Sequence, residues 1–225
     1  MTTTNGRPDC AVLLFGGRRI PRALGHLPAV TVQEADQIKA AVTARRVVVI
    51  GADSDLAAVL TTLLKTENLG VEVAYVPRWR TAATRAQGLP TGRRAVRAAL
   101  GHAATRVPLI RDDSGCALVG AGLWVGETGI EKGTPPATLH GEAVVDDTVL
   151  FDGEATAVRI EPIGTMPGLR AAVLSTRMRP KRWVTGRAAQ LGTTGAFVVR
   201  DGDLSTRAVR RSTFYRHTEG WLAVR

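Results

Sequence analysis

The sequence predicts an α+β protein of two domains. The first is an α/β N-terminal domain with a parallel sheet over residues 1–110, and the second a mostly antiparallel β domain over residues 111–225. Val47-Val48-Val49-Ile50 is an uninterrupted β-branched run, the pattern of a parallel strand covered on both faces. Helical periodicity surrounds it, with apolar residues three and four apart. After Pro108 that periodicity gives way to short alternating strands separated by turn residues. A chain of 225 residues has room for one large domain or two small ones. The change of period near residue 110 selects two.

In order along the chain, Ala11–Phe15 reads as a short buried strand ending at Gly16-Gly17. Val32, Ala35, Ile38 and Val42 then predict a helix over 32–43, with Thr31 as N-cap and Glu34 at the capping-box position. The strand at 47–50 breaks at Gly51-Ala52-Asp53-Ser54, and Leu56, Val59, Leu60, Leu63 and Leu64 form the apolar stripe of a second helix. Val71–Val76 is the next strand and ends at Pro77. Between Thr91 and Arg106, Val96, Ala99, Leu100 and Ala103 make one face of a helix whose other side gathers Arg93, Arg94 and Arg97. Strands follow near 117–119, 141–145, 148–151, 157–161, 169–174, 196–200, 205–213 and 220–224, with tight turns expected at Asp152-Gly153 and Asp201-Gly202.

Composition narrows the function classes. Hydrophobic residues make up 44% of the chain and charged residues 22%, an ordinary folded composition, while aromatics at 4% leave the core to Val, Leu, Ile and Ala. The formal charge is +10, and 26 of the 30 basic residues are Arg. Two explanations of that excess stand side by side: a high-GC codon bias, or a polyanionic partner, whether nucleotide, nucleic acid or anionic membrane. No apolar run is long enough to span a membrane. Met1–Asp9 is polar and lacks a secretory pattern, so a cytoplasmic protein is expected, peripheral to the inner membrane surface if the basic face meets lipid. Cys10 and Cys116 read as reduced, and the four scattered histidines give no metal-site spacing.

A buried strand that passes through Gly51-Ala52-Asp53-Ser54-Asp55 straight into a helix offers backbone N–H groups and the positive end of a helix dipole. Val48–Leu56 resembles the Gly-Gly-Asp-Gly-Thr loop of the diacylglycerol kinase and lipid kinase family, related more distantly to the NAD kinases. Val76–Pro90, with Arg85 and the Gly88-Leu89-Pro90 ending, is similar to the motif that follows the next strand in that family. Val198–Asp203 resembles its late Asp-Gly-Glu motif. The resemblance covers most of residues 45–225 and implies a lipid kinase-like fold with a shortened first domain. It also implies ATP and Mg²⁺ as cofactors, with Gly51, Asp53, Ser54 and Thr81 at the nucleotide and Asp201 and Asp203 as the catalytic carboxylates. Phe151–Glu154 carries a second Asp-Gly-Glu, read as a structural turn.

The departures from the family pattern are specific. Ala52 stands for the second glycine, Ser54-Asp55 for the last Gly-Thr, and Trp79-Arg80 for the Gly-Thr of the second motif. A carboxylate at Asp55 opposes a triphosphate unless Arg78, Arg80 and Arg85 compensate. Two readings follow: an ATP-dependent kinase acting on a lipid hydroxyl such as that of diacylglycerol, or a catalytically silent kinase fold binding an acidic lipid or other anion. A third reading is nucleic-acid binding through Arg177, Arg179, Lys181, Arg182, Arg187, Arg207, Arg210, Arg211 and Arg216, with Trp183, Phe214, Tyr215 and Trp221 as stacking partners. The edges of an antiparallel sheet also allow a homodimer.

Overall fold

The computed structural model describes residues 9–126 and 137–225. The polar segment on which the cytoplasmic expectation rests falls, except for Asp9, outside them. The chain divides into two compact units, Met1–Val107 with Thr218–Arg225, and Pro108–His217.

The first unit begins with β1 (Cys10–Leu14), β2 (Ala29–Thr31), α1 (Ala35–Ala41) and β3 (Arg46–Ile50). It continues with α2 (Asp53–Lys65), β4 (Glu72–Tyr75), α3 (Ala82–Gln87), α4 (Gly92–Gly101) and β5 (Ala104–Val107). The second unit holds β6 (Ile110–Asp112), β7 (Ala117–Leu118), β8 (Gly122–Gly126), β9 (Leu139–Val145), β10 (Thr148–Ala155) and β11 (Ala157–Pro162). Its later strands are β12 (Leu169–Val173), β13 (Val184–Gly186), β14 (Ala188–Arg200), β15 (Asp203–Leu204) and β16 (Val209–Arg216). The strand β17 (Trp221–Val224) then returns to the first unit.

Among the described residues the first sheet runs β2-β1-β3-β4-β17-β5, parallel throughout except where β5 meets β17. Every residue of β3 is buried, as expected for a strand covered on both faces. Val48, Ile50, Ala74 and Val76 face Ala95, Ala98 and Ala99 of α4. Strand alternation turns Val47, Val49, Val73 and Tyr75 to the opposite face, where α2 packs. The buried Arg46 secures α4 from below: its guanidinium donates to the carbonyls of Ala99 and His102, each at 2.8 Å, and to Glu72 at 2.6 Å. Those carbonyls are orphan acceptors at a helix C-terminus.

Among the described residues the second unit is built on an antiparallel sheet of eleven strands. Its core gathers Trp124, Phe214, Leu139, Ile160, Leu169 and Val198, with the Trp124 and Phe214 rings 5.8 Å apart. Trp124 donates its indole N–H to Ser212 Oγ at 2.9 Å, which satisfies both buried polar groups.

Several expectations need correction. The helix predicted over 32–43 starts at Ala35, because Thr31 ends β2 and the side-chain oxygen of Gln37 accepts the N–H groups of Gln33 and Glu34. The helix predicted over 91–106 stops at Gly101, and Ala104–Val107 turn back as β5. Asp152-Gly153 is not a turn: it lies inside β10, where Gly153 takes φ +102°, and the hairpin turns at Asp146-Asp147 instead. Asp201-Gly202 does form the turn between β14 and β15. Thr218–Arg225, counted with the second domain from their strand pattern, belong to the first unit.

Arg46→Met removes three charged hydrogen bonds from a buried site and leaves two helix-terminal carbonyls unpaired. A loss of about 2–4 kcal/mol in unfolding free energy is expected by denaturant titration.

Candidate functional site

The turn between β3 and α2 is shaped by two carboxylates. Asp53 opens α2, and its Oδ1 accepts the Tyr75 hydroxyl at 2.9 Å while its Oδ2 accepts the Ala83 N–H, in the first turn of α3, at 3.0 Å. Burial, reinforced by the Asp53 charge, pushes the Tyr75 phenol far up from its ordinary pKa. It is therefore a fixed donor across the accessible pH range.

Asp55 turns back over the loop. Its Oδ2 accepts the Ala52 N–H at 2.6 Å, an N-terminal cap made by the third residue of the helix. A Cβ on Gly51 would lie 2.5 Å from Asp55 Oδ2 and 2.7 Å from Asp55 Cβ. Glycine at 51 thus leaves room for a carboxylate of the same chain. With Asp53 and Asp55 both in the first turn, the positive end of the α2 dipole already faces two negative side chains. Ser54 sits between them, half-buried.

Thr81 is the N-cap of α3, in a reciprocal pair: its hydroxyl accepts the Thr84 N–H at 3.2 Å, and Thr84 Oγ1 accepts the Thr81 N–H at 2.8 Å. Arg78, Arg80 and Arg85 are all exposed. Arg78 lies over the Trp79 ring at 5.0 Å, and Trp79 is 70% exposed. Gly51, Asp53, Ser54 and Thr81 therefore gather around the β3–α2 and β4–α3 turns, while no ion pair within the first unit joins the three arginines to Asp53 or Asp55.

Asp201 and Asp203 belong to the second unit. Asp201 takes φ +49° at the β14–β15 turn, and its carboxylate accepts the N–H groups of Val119, Gly120 and Ala121 at 2.6–3.0 Å. Asp203 is exposed on the two-residue strand β15. Near them Asp112 is fully buried, ion-paired with Arg200, and accepts from Ser114 Oγ and the Cys116 N–H. Nothing in the sequence pattern singled out Asp112 or Tyr75. Among the described residues no three His, Cys, Asp or Glu side chains cluster so as to hold a metal ion.

The aromatic residues named as stacking partners are engaged elsewhere. Phe214 and Trp221 are buried, Arg170 covers Trp183 at 4.2 Å, and Arg111 covers Tyr215 at 5.3 Å.

Gly51→Ala is expected to cost about 1–3 kcal/mol, since the new methyl meets Asp55. Gly51→Ala combined with Asp55→Ala should cost clearly less than the two single changes added, in a double-mutant cycle read by thermal unfolding. Asp53→Ala, which orphans the Ala83 N–H and leaves the Tyr75 hydroxyl only the Gly51 carbonyl at 3.3 Å, should cost about 1–3 kcal/mol by the same measurement.

No family model matches the sequence, and no curated protein does. Solved structures do. A candidate diacylglycerol kinase from Bacillus anthracis superposes with a TM-score of 0.66 at 15% identity, over 99% of this chain and 98% of that one. An NAD kinase from Archaeoglobus fulgidus in complex with ATP gives 0.63 at 12% identity, over 96% and 93%. Yeast NADH kinase complexed with NADH gives 0.59 at 9% identity, over 98% and 84%. The likeness spans both units, and it is one of architecture: the chain has the fold of the diacylglycerol and NAD kinases.

Proposed function

We propose that this chain is a kinase-fold protein that binds an anionic partner without transferring phosphate. The observation that supports this most directly is the Asp55 carboxylate seated on the Gly51-Ala52 turn, where it takes the Ala52 N–H. Phosphoryl transfer depends on positioning and charge neutralisation more than on covalent chemistry. A carboxylate on the donor that would hold an oxyanion reverses the sign of that contribution, and loss of one such donor alone costs about 10²–10³ in rate. Asp53 and Thr81, the other candidate nucleotide contacts, hold α3 in place through the Ala83 and Thr84 N–H groups. The net charge of +10 and the exposed arginines of α4 favour an anionic partner, such as an acidic lipid.

ATP with Mg²⁺ is the pertinent challenge, because one protein of this fold is in complex with ATP. Incubated with ATP, Mg²⁺ and diacylglycerol, the protein is expected to yield neither ADP nor phosphorylated lipid above a protein-free blank. Turnover that is lost in Asp201→Ala or Asp203→Ala would overturn this reading and establish a lipid kinase.

A further inference from the structure

A cavity of about 910 Å³ opens in the first unit at the carboxyl ends of β3 and β4, on the face covered by α4. This is the edge of a parallel sheet where ligands bind in open α/β folds, and the volume is at the upper end of small-molecule pockets, roughly 300–1,000 Å³. It is separate from the turn closed by Asp55, since none of residues 51–55 lines it.

Its lining has two chemistries. Arg18, Arg19 and Arg22 reach it from the segment after β1, Arg78 from the end of β4, and Arg93 and Arg97 from α4. All six are exposed, no acidic residue lines the cavity, and no carboxylate of the described residues pairs with any of them. Six like charges around one opening repel each other, and an anion placed among them relieves that repulsion. The wall between them is aliphatic: Ile50, Val76, Pro77, Val96 and Leu100. Leu100 is 44% exposed, so part of this apolar wall is open to solvent.

We propose that this cavity binds an amphiphilic phosphate monoester, with its aliphatic chain along the Val76–Val96–Leu100 wall and its phosphate among the arginines. The inference rests on the reading of the chain as an anion-binding protein and names the class of anion and its seat. Guanidinium forks match a phosphate bidentately, and several converge here, which favours a dianionic head over a single carboxylate. An inorganic anion leaves the aliphatic wall wet. A nucleotide is disfavoured because the lining has no aromatic ring to stack a base and no Asn, Gln, Ser or Thr to pair its edge.

The test is calorimetric titration of the full-length protein with decyl phosphate below its micelle concentration, beside decanol, decanoate, inorganic phosphate and ATP. Saturable one-to-one binding of decyl phosphate is expected, at least tenfold tighter than any of the other four. Arg93→Ala/Arg97→Ala, at two exposed positions, should weaken it at least tenfold. Arg94→Ala, on the same helix but outside the cavity, should leave it within twofold. Equal binding of inorganic phosphate, decanoate or ATP, or unchanged affinity in the double variant, overturns the proposal, and the ligand comparison needs no variant to fold. ATP turnover would overturn the reading of a non-transferring protein and leave a positive decyl phosphate titration standing. Absence of decyl phosphate binding without ATP turnover sinks the cavity proposal alone.

Discussion

The Asp53 carboxylate joins three elements of the first unit. It belongs to α2, receives the phenol of β4 through Tyr75, and receives an N–H of the first turn of α3 through Ala83. Each bond fixes a direction: Tyr75 ties the helix start to the neighbouring strand, and Ala83 sets where the chain after Pro77 begins to coil. With α2 and α3 thus anchored, Asp55 stands one residue pair further along, within reach of the Ala52 N–H. Lone-pair capacity explains how one side chain does this, since an ionised carboxylate accepts at both oxygens and needs no donor of its own. An amide in its place would lose one of the two acceptors.

The same economy holds in the second unit. Asp201 spends its carboxylate on three successive N–H groups of the chain after β7, and Asp112 on a guanidinium, a hydroxyl and an amide. Of the two acidic residues that motif resemblance assigns to chemistry, Asp201 is engaged with the polypeptide itself, while Asp203 stands exposed. In the first unit Asp53 and Asp55 are likewise bonded to backbone and to Tyr75, whereas the arginines of the cavity, unpaired with any carboxylate of the described residues, lie on the opposite face of the sheet.

What was readable in the sequence follows the strength of local signals. Four β-branched residues in a row identify β3 without ambiguity, and the stripe from Leu56 to Leu64 identifies α2. The α1 start was misplaced because Thr31 and Glu34 satisfy the capping pattern as well as Glu34 and Gln37 do, and only β2 pairing with β1 decides between them. The first half of β14 was hidden by Gly192-Thr193-Thr194-Gly195, which reads as a loop but is carried through the sheet by a register shift. At the site, Gly51 to Asp55 stood out, yet the direction of the Asp55 carboxylate depends on a side-chain rotamer that no spacing encodes. The arginine cavity was illegible for another reason: four separate stretches of chain supply it, and only the sheet order brings them together.

The return of β17 bears on the order in which the protein can be completed during synthesis. This strand sits between β4 and β5, and among the described residues β5 has no other partner in the sheet. A ribosome releasing the chain from its N-terminus delivers β4 and β5 more than a hundred residues before the strand that bridges them. Throughout that interval β4, three of whose four residues are buried in the finished protein, presents an open parallel edge, a template for unwanted pairing. The second unit, inserted in the chain between Val107 and Thr218 of the first, can close on itself before its host can.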